Sequence, residues 1–175
     1  NELLAQEVRE ELESIKCEAY FEAGLTYLNY NDYNKALSSF LKLVPKHKDS
    51  WNVNYLIGKS YNGIGKIEMA ADYFLKAIEL NDMESDIYND LGVLYFNIGD
   101  INKAIEIFTM GISKKLNDYK LLFNRGLGYI ELGEYRKGLY DIRQANILNP
   151  DDENIKAQKQ SLERLLGNSY NEKNM

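Results

Sequence analysis

A few residues in this 175-residue chain are of types that can do chemistry, and each reads first as something plainer. His47 is the sole histidine, set in the polar run Lys46-His47-Lys48-Asp49-Ser50 with no second histidine or cysteine near it. A metal site or a general base needs partners at ligand or hydrogen-bond spacing, so His47 reads as a solvated loop residue. Cys17, the sole cysteine, rules out an internal disulfide and any need for an oxidising compartment. With no cationic neighbour in sequence to stabilise a thiolate, it reads as a buried structural thiol. Asp151-Asp152 follows Asn149-Pro150 and reads as a helix cap before it reads as an acid-base pair. Lys114-Lys115 falls at a predicted helix end, where positive charge complements the helix dipole without any ligand. The chain has no phosphate-cradling glycine loop, no G-x-S-x-G elbow and no paired metal ligands. It is read as no enzyme, with no catalytic residue, metal or cofactor assigned.

What must position any functional surface is an internal repeat. Gly24, Gly58, Gly92 and Gly126 are spaced by 34 residues, and each is followed three residues later by a tyrosine: Tyr27, Tyr61, Tyr95 and Tyr129. Twelve residues after each glycine stands a small residue (Ala36, Ala70, Ala104, Gly138), and sixteen after it a large apolar one (Phe40, Phe74, Phe108, Ile142). Between these halves lie Asn31, Gly65, Gly99 and Gly133, residues that tolerate a left-handed backbone. Each copy is therefore predicted to be two helices joined by a short turn.

This pattern resembles the tetratricopeptide repeat, whose signature runs W-x-x-L-G-x-x-Y, A-x-x-x-F and P on a 34-residue period. The copies span 17–50, 51–84, 85–118 and 119–152, preceded by an N-terminal helix over 1–16 and followed by a capping helix over 153–167 and a polar tail, 168–175, expected to be disordered. The resemblance implies an all-α, right-handed α-solenoid of four helical hairpins. Departures fall at the family's terminal proline, present only as Pro150, with Pro45 arriving early in copy one and expected to end its second helix. Gly111 and Gly138 replace alanine inside helices at about 1 kcal/mol each, which makes the later second helices the softer ones.

Composition bounds the function classes. A net charge of −6 without any Lys/Arg cluster argues against nucleic acid, and no apolar run approaches the length that inserts directly in a membrane. The default compartment is the cytoplasm; because the chain opens on Asn1, a removed signal peptide or anchor stays open. The first sixteen residues carry five acids against two bases. Ala5, Val8, Leu12, Ile15 and Ala19 make one stripe, and nothing breaks the helix from Glu2 towards Tyr30, about 43 Å at 1.5 Å per residue. Two readings stand for it: a cap folded over the first hairpin, or a two-heptad seam for a second copy or a partner.

The resemblance places the first helix of each copy on an inner, concave wall, so the expected activity is binding a protein or peptide segment, as an adaptor or scaffold. The candidate partner-binding residues are Tyr55, Lys59, Asn89, Val93, Phe96, Lys120, Phe123 and Leu127, which vary between copies as a recognition surface would. The competing reading is that these side chains only pack first helix on first helix. One subgroup of the family clamps chaperone C-terminal carboxylates with a Lys/Asn/Asn/Lys/Arg set. Here those positions hold Phe21, Leu25, Leu56, Asp86 and Asp90, or Tyr55, Lys59, Asp90, Lys120 and Asn124, and neither set is a clamp. The alternative function is an assembly module of a larger protein, with a homodimer through the N-terminal helix as its simplest form.

Overall fold

The computed structural model describes residues 2–114 and 118–172, with side chains as far as residue 167. All regular structure among them is helical, and the chain forms two compact units, 1–81 and 82–175. The first contains α1 (Glu2–Asn29), α2 (Tyr33–Leu41), α3 (Val44–His47), α4 (Trp51–Gly63) and α5 (Ile67–Leu80). The second contains α6 (Ser85–Asn97), α7 (Ile101–Ser113), α8 (Tyr119–Glu131), α9 (Tyr135–Leu148) and α10 (Glu153–Glu172). No described helix is long and apolar enough to cross a membrane.

Four hairpins, α1/α2, α4/α5, α6/α7 and α8/α9, share one turn. Asn31, Gly65, Gly99 and Gly133 have φ of 58°, 77°, 84° and 73°, as the sequence predicts. In each turn the amide three residues past the helix reaches back to the repeated tyrosine: Asp32 N–H to the Tyr27 carbonyl at 2.9 Å, Lys66 to Tyr61 at 2.9 Å, Asp100 to Tyr95 at 3.0 Å and Glu134 to Tyr129 at 2.8 Å. These are the crossed bonds that satisfy the last carbonyls of a helix closed by a left-handed residue. Asp32, Asp100, Asp118 and Asp152 then accept backbone N–H groups of α2, α7, α8 and α10. These caps fall at two repeat positions, Asp32 and Asp100 before second helices and Asp118 and Asp152 before α8 and α10, while α4, α5, α6 and α9 start without a side-chain cap.

The same periodicity builds the cores. Phe40, Phe74, Phe108 and Ile142 are fully buried, as are Ala36, Ala70 and Ala104. Each large side chain lies against the repeat glycine of its own hairpin, so closely that a Cβ on Gly92 would stand 2.3 Å from the Phe108 ring. The second unit ends in a cluster of Leu139, Ile142, Ala145, Ile155 and Leu162, so α10 covers α9. Gly111 and Gly138 are close-approach residues as well: a Cβ would stand 2.9 Å from Leu121 and Tyr88 at the first, and 2.9 Å from the Gly126 carbonyl oxygen at the second.

Three expectations about boundaries are corrected. Pro45 does not end the second helix of copy one. That helix stops at Leu41 and Pro45 lies in the first turn of α3, where its missing N–H costs nothing. Gly167 does not stop α10, which continues to Glu172; its backbone is helical and does not take the left-handed conformation by which a glycine closes a helix. Of the tail expected to be disordered, 168–172 is thus helical and 173–175 lies outside the described residues, as do Lys115 and Leu116. Finally, the first sixteen residues do not fold over the first hairpin. They are the leading half of the single helix α1, and Leu3, Leu4, Val8, Leu12 and Ile15 are exposed on it.

Candidate partner-binding surfaces

Within the second unit, α6 and α8 pack side by side as the first helices of consecutive copies. The 34-residue period sets equivalent positions opposite each other, and polar pairs tie one end of the wall. The Lys120 ammonium lies 3.3 Å from Asp86, whose hydrogen bond and charge raise the lysine above its ordinary range. The Asn124 side-chain N–H donates to Asn89 Oδ1 at 2.7 Å. One helical turn further, Val93, Phe96 and Leu127, together with Asn97, Phe108 and Asn124, surround an opening of about 210 Å³. All three of the predicted apolar residues are half-buried, with part of each side chain facing this opening.

The structure thus brings Asn89, Val93, Phe96, Lys120 and Leu127 onto one wall. Phe123 is placed differently: half-buried, it packs against the cluster under α9 and α10. In the first unit, Tyr55 lies over Phe74 with ring centroids 5.8 Å apart, and Lys59 stands over the Tyr55 ring at 5.3 Å. The amphipathic arrangement leaves one face of the aromatic ring shielded by a cation.

Sequence reasoning missed a second hollow of the first unit, about 550 Å³, between α1 and the α3–α4 connection. Phe21, Leu43 and Val53 supply its apolar lining, Glu10, Glu18 and Glu22 an acidic side, and Lys46 and His47 a basic one. Cys17, expected to be buried, is half-buried and lines this hollow. The connection itself is held by Asn54, whose amide donates to the carbonyls of Lys48 at 2.9 Å and Ser50 at 2.7 Å. Glu10 and Ser14 precede the repeat, so no repeat register could have pointed to them. Periodicity also hid Arg125. Its guanidinium reaches Asp141 at 2.7 and 2.8 Å, with 16% and 2% of the two side chains exposed, and a third N–H donates to Thr109 at 3.2 Å. Burial would disfavour the cation, but the carboxylate outweighs it and raises the arginine further.

Hairpins of equal geometry, each closed by a small-large contact and carrying variable residues on its first helix, define a helical-repeat protein. Profiles of the tetratricopeptide repeat match residues 18–44 and 52–82 in one case and 73–106 in another. Over residues 18–106 this chain carries tetratricopeptide repeats. No curated protein matches it in sequence. Among solved structures it is similar to a crystal structure of MamA, at 28% identity and a TM-score of 0.71 over 77% of this chain and 78% of that one. It also resembles MamA from Desulfovibrio magneticus, residue 41 to the end, at 16% identity and a TM-score of 0.71 over 87% and 92%. Pseudomonas aeruginosa pilF gives 14% and 0.76 over 85% and 68%.

Proposed function

We propose that this chain is a non-catalytic protein-interaction module that binds a peptide segment or helix of a partner along the first helices of its repeats. The observation that carries the reading is the α6/α8 wall, where half-buried Val93, Phe96 and Leu127 surround an opening beside the Asn89–Asn124 amide pair. Apolar anchors beside a few fixed polar groups are what a peptide site requires. Tyr55 and Lys59 extend the candidate set in the first unit, and Phe123 serves it from the packed side. The occupant is not a chaperone-type carboxylate tail, because Lys120 is already paired with Asp86.

Affinity capture from lysate of the native source tests this, comparing the parent with a Val93→Glu/Leu127→Glu variant of unchanged helix content. A protein held by the parent and lost by the folded variant is expected. Equal capture by both overturns the α6/α8 reading.

One observation favours a second reading, an assembly module acting through its N-terminal helix. The apolar stripe of α1 is exposed along its leading half, with Leu12 at 52% and Ile15 at 56%.

A further inference from the structure

The face of α1 that bears this stripe continues a packing position of the repeat itself. The residues 34 apart that follow Ala19 are Val53, Ile87, Leu121 and Ile155, which are 4%, 0%, 0% and 1% exposed. Leu121 on α8 meets the second helix ahead of it, within 2.9 Å of the Cβ that Gly111 of α7 lacks. Ala19 is exposed, and so are Ala5, Val8, Leu12, Ile15 and, further on, Glu22 and Thr26. The hairpin's own α2 therefore does not occupy this side. The stripe is a helix-packing surface without a helix on it.

Its spacing says what kind of helix fits. Ala5, Val8, Leu12, Ile15 and Ala19 alternate by three and four residues, the period of a left-handed coiled-coil seam, with Ala5, Leu12 and Ala19 at one heptad position and Val8 and Ile15 at the other. The flanking positions are Leu4, Glu11 and Glu18 on one side and Glu2, Arg9 and Lys16 on the other. In a parallel pair each flank residue meets the one five further along in the partner helix. Glu11 then faces Lys16 of the second copy, twice by symmetry, and the aliphatic Leu4 covers the stem of Arg9. In the antiparallel arrangement with the same overlap, Glu2 faces Lys16 twice, but Glu11 faces Glu11 and Arg9 faces Arg9. Charge therefore selects a parallel, in-register pair. In the single chain Lys16 is bonded to Glu13 at 2.8 Å, with about half of each side chain exposed. Exposed pairs of this kind are weak, so Lys16 is readily re-partnered.

We infer that a second copy of this chain covers the α1 stripe, the two helices forming a short parallel coiled coil through Leu12, Ile15 and Val8 with Glu11–Lys16 pairs across it. The inference rests on the assembly reading and names its partner. Two heptads make a marginal seam when the helices must form at the same time; here α1 is continuous with the packed hairpin, so the nucleation cost is already met. Glu10, Ser14, Cys17 and Phe21, which line the hollow of the first unit, lie on the other side of α1, while Glu18, a flank of the seam, borders both surfaces.

Sedimentation equilibrium of the full chain over a rising concentration series tests it. A monomer–dimer equilibrium is expected, abolished by Leu12→Asp with helix content and melting temperature unchanged, since Leu12 is exposed. Glu11→Lys is expected to weaken dimerisation about tenfold, and Glu11→Lys/Lys16→Glu to restore it. In a Cys17→Ser background, Leu12→Cys is expected to give a disulfide-linked dimer on oxidation, because like positions meet only in the parallel register. A monomer at millimolar concentration, or a dimer indifferent to Leu12→Asp, overturns both the inference and the assembly reading. A dimer sensitive to Leu12→Asp that fails to crosslink at position 12, or is not restored by the charge exchange, overturns the parallel pairing and leaves assembly through α1 standing.

Discussion

Arg125 occupies the repeat position that Ile57 and Leu91 fill in the two preceding copies, both fully buried. Its partner Asp141 likewise stands where copy three has buried Ile107. One apolar contact of the repeat has thus been exchanged for a bidentate ion pair between α8 and α9, with Tyr129 beside the guanidinium at 5.8 Å. Desolvating two charges costs most of what their attraction returns, so the pair is worth little against an apolar replacement and a great deal against the loss of one member. Arg125→Leu is expected to lower unfolding free energy by roughly 3 kcal/mol, because Asp141 is left buried and unpaired. Arg125→Leu/Asp141→Ile, which restores the residues of copy three, is expected to return to within about 1 kcal/mol of the parent or above it. Urea denaturation of the parent, the single variants Arg125→Leu and Asp141→Ile and the double decides this, and a double variant no better than the singles overturns it. Arg125 stands at the signature's leucine position, one residue before Gly126, and the repeat pattern alone did not single it out. Its role was not legible, because Asp141 is sixteen residues away on another helix and is not part of the repeat signature.

At the scale of the helix, close approach decides more than propensity does. Gly92 sits mid-helix in α6, where alanine would be favoured by about 1 kcal/mol. The Cβ would nevertheless stand 2.3 Å from a Phe108 ring that is fully buried and has nowhere to retreat. Overpacking of that kind costs about 1–3 kcal/mol, so Gly92→Ala is expected to destabilise the chain. It should do so less in a Phe108→Leu background, where the smaller side chain vacates the contact. Gly167 is the control: helical, with nothing within 4 Å of its added Cβ, it should accept alanine with a gain of up to about 1 kcal/mol. Thermal melts of the four variants give the comparison, and equal effects at Gly92 in both backgrounds would sink the packing argument. The glycine and tyrosine spacing made all four hairpins and their turns legible, because each turn residue has one backbone requirement. The missed boundaries, at Pro45 and Gly167, were places where a residue type permits two outcomes and the neighbouring packing chooses between them.

At the scale of the whole molecule, a chain of net charge −6 is a poor receptor for an acidic tail unless local cations outweigh that field, which fades over about 8 Å at physiological salt. In the second unit the one lysine matching the chaperone-tail clamp, Lys120, has Asp86 at 3.3 Å, and Asp90 follows on the same helix. A terminal carboxylate would have to displace Asp86 and lie near Asp90, two unfavourable steps for one ion pair. Calorimetric titration with an acidic peptide ending in a free carboxylate is therefore expected to show no saturable heat. Asp86→Asn/Asp90→Asn removes both obstacles and leaves the lysine in place, so it should bring weak, salt-sensitive binding into view. Low-micromolar binding by the parent would mean that Lys120 is not held as the geometry has it. No gain in the variant would mean that shape rather than charge excludes the tail, and that the Val93, Phe96 and Leu127 opening already fixes what can lie along α6 and α8.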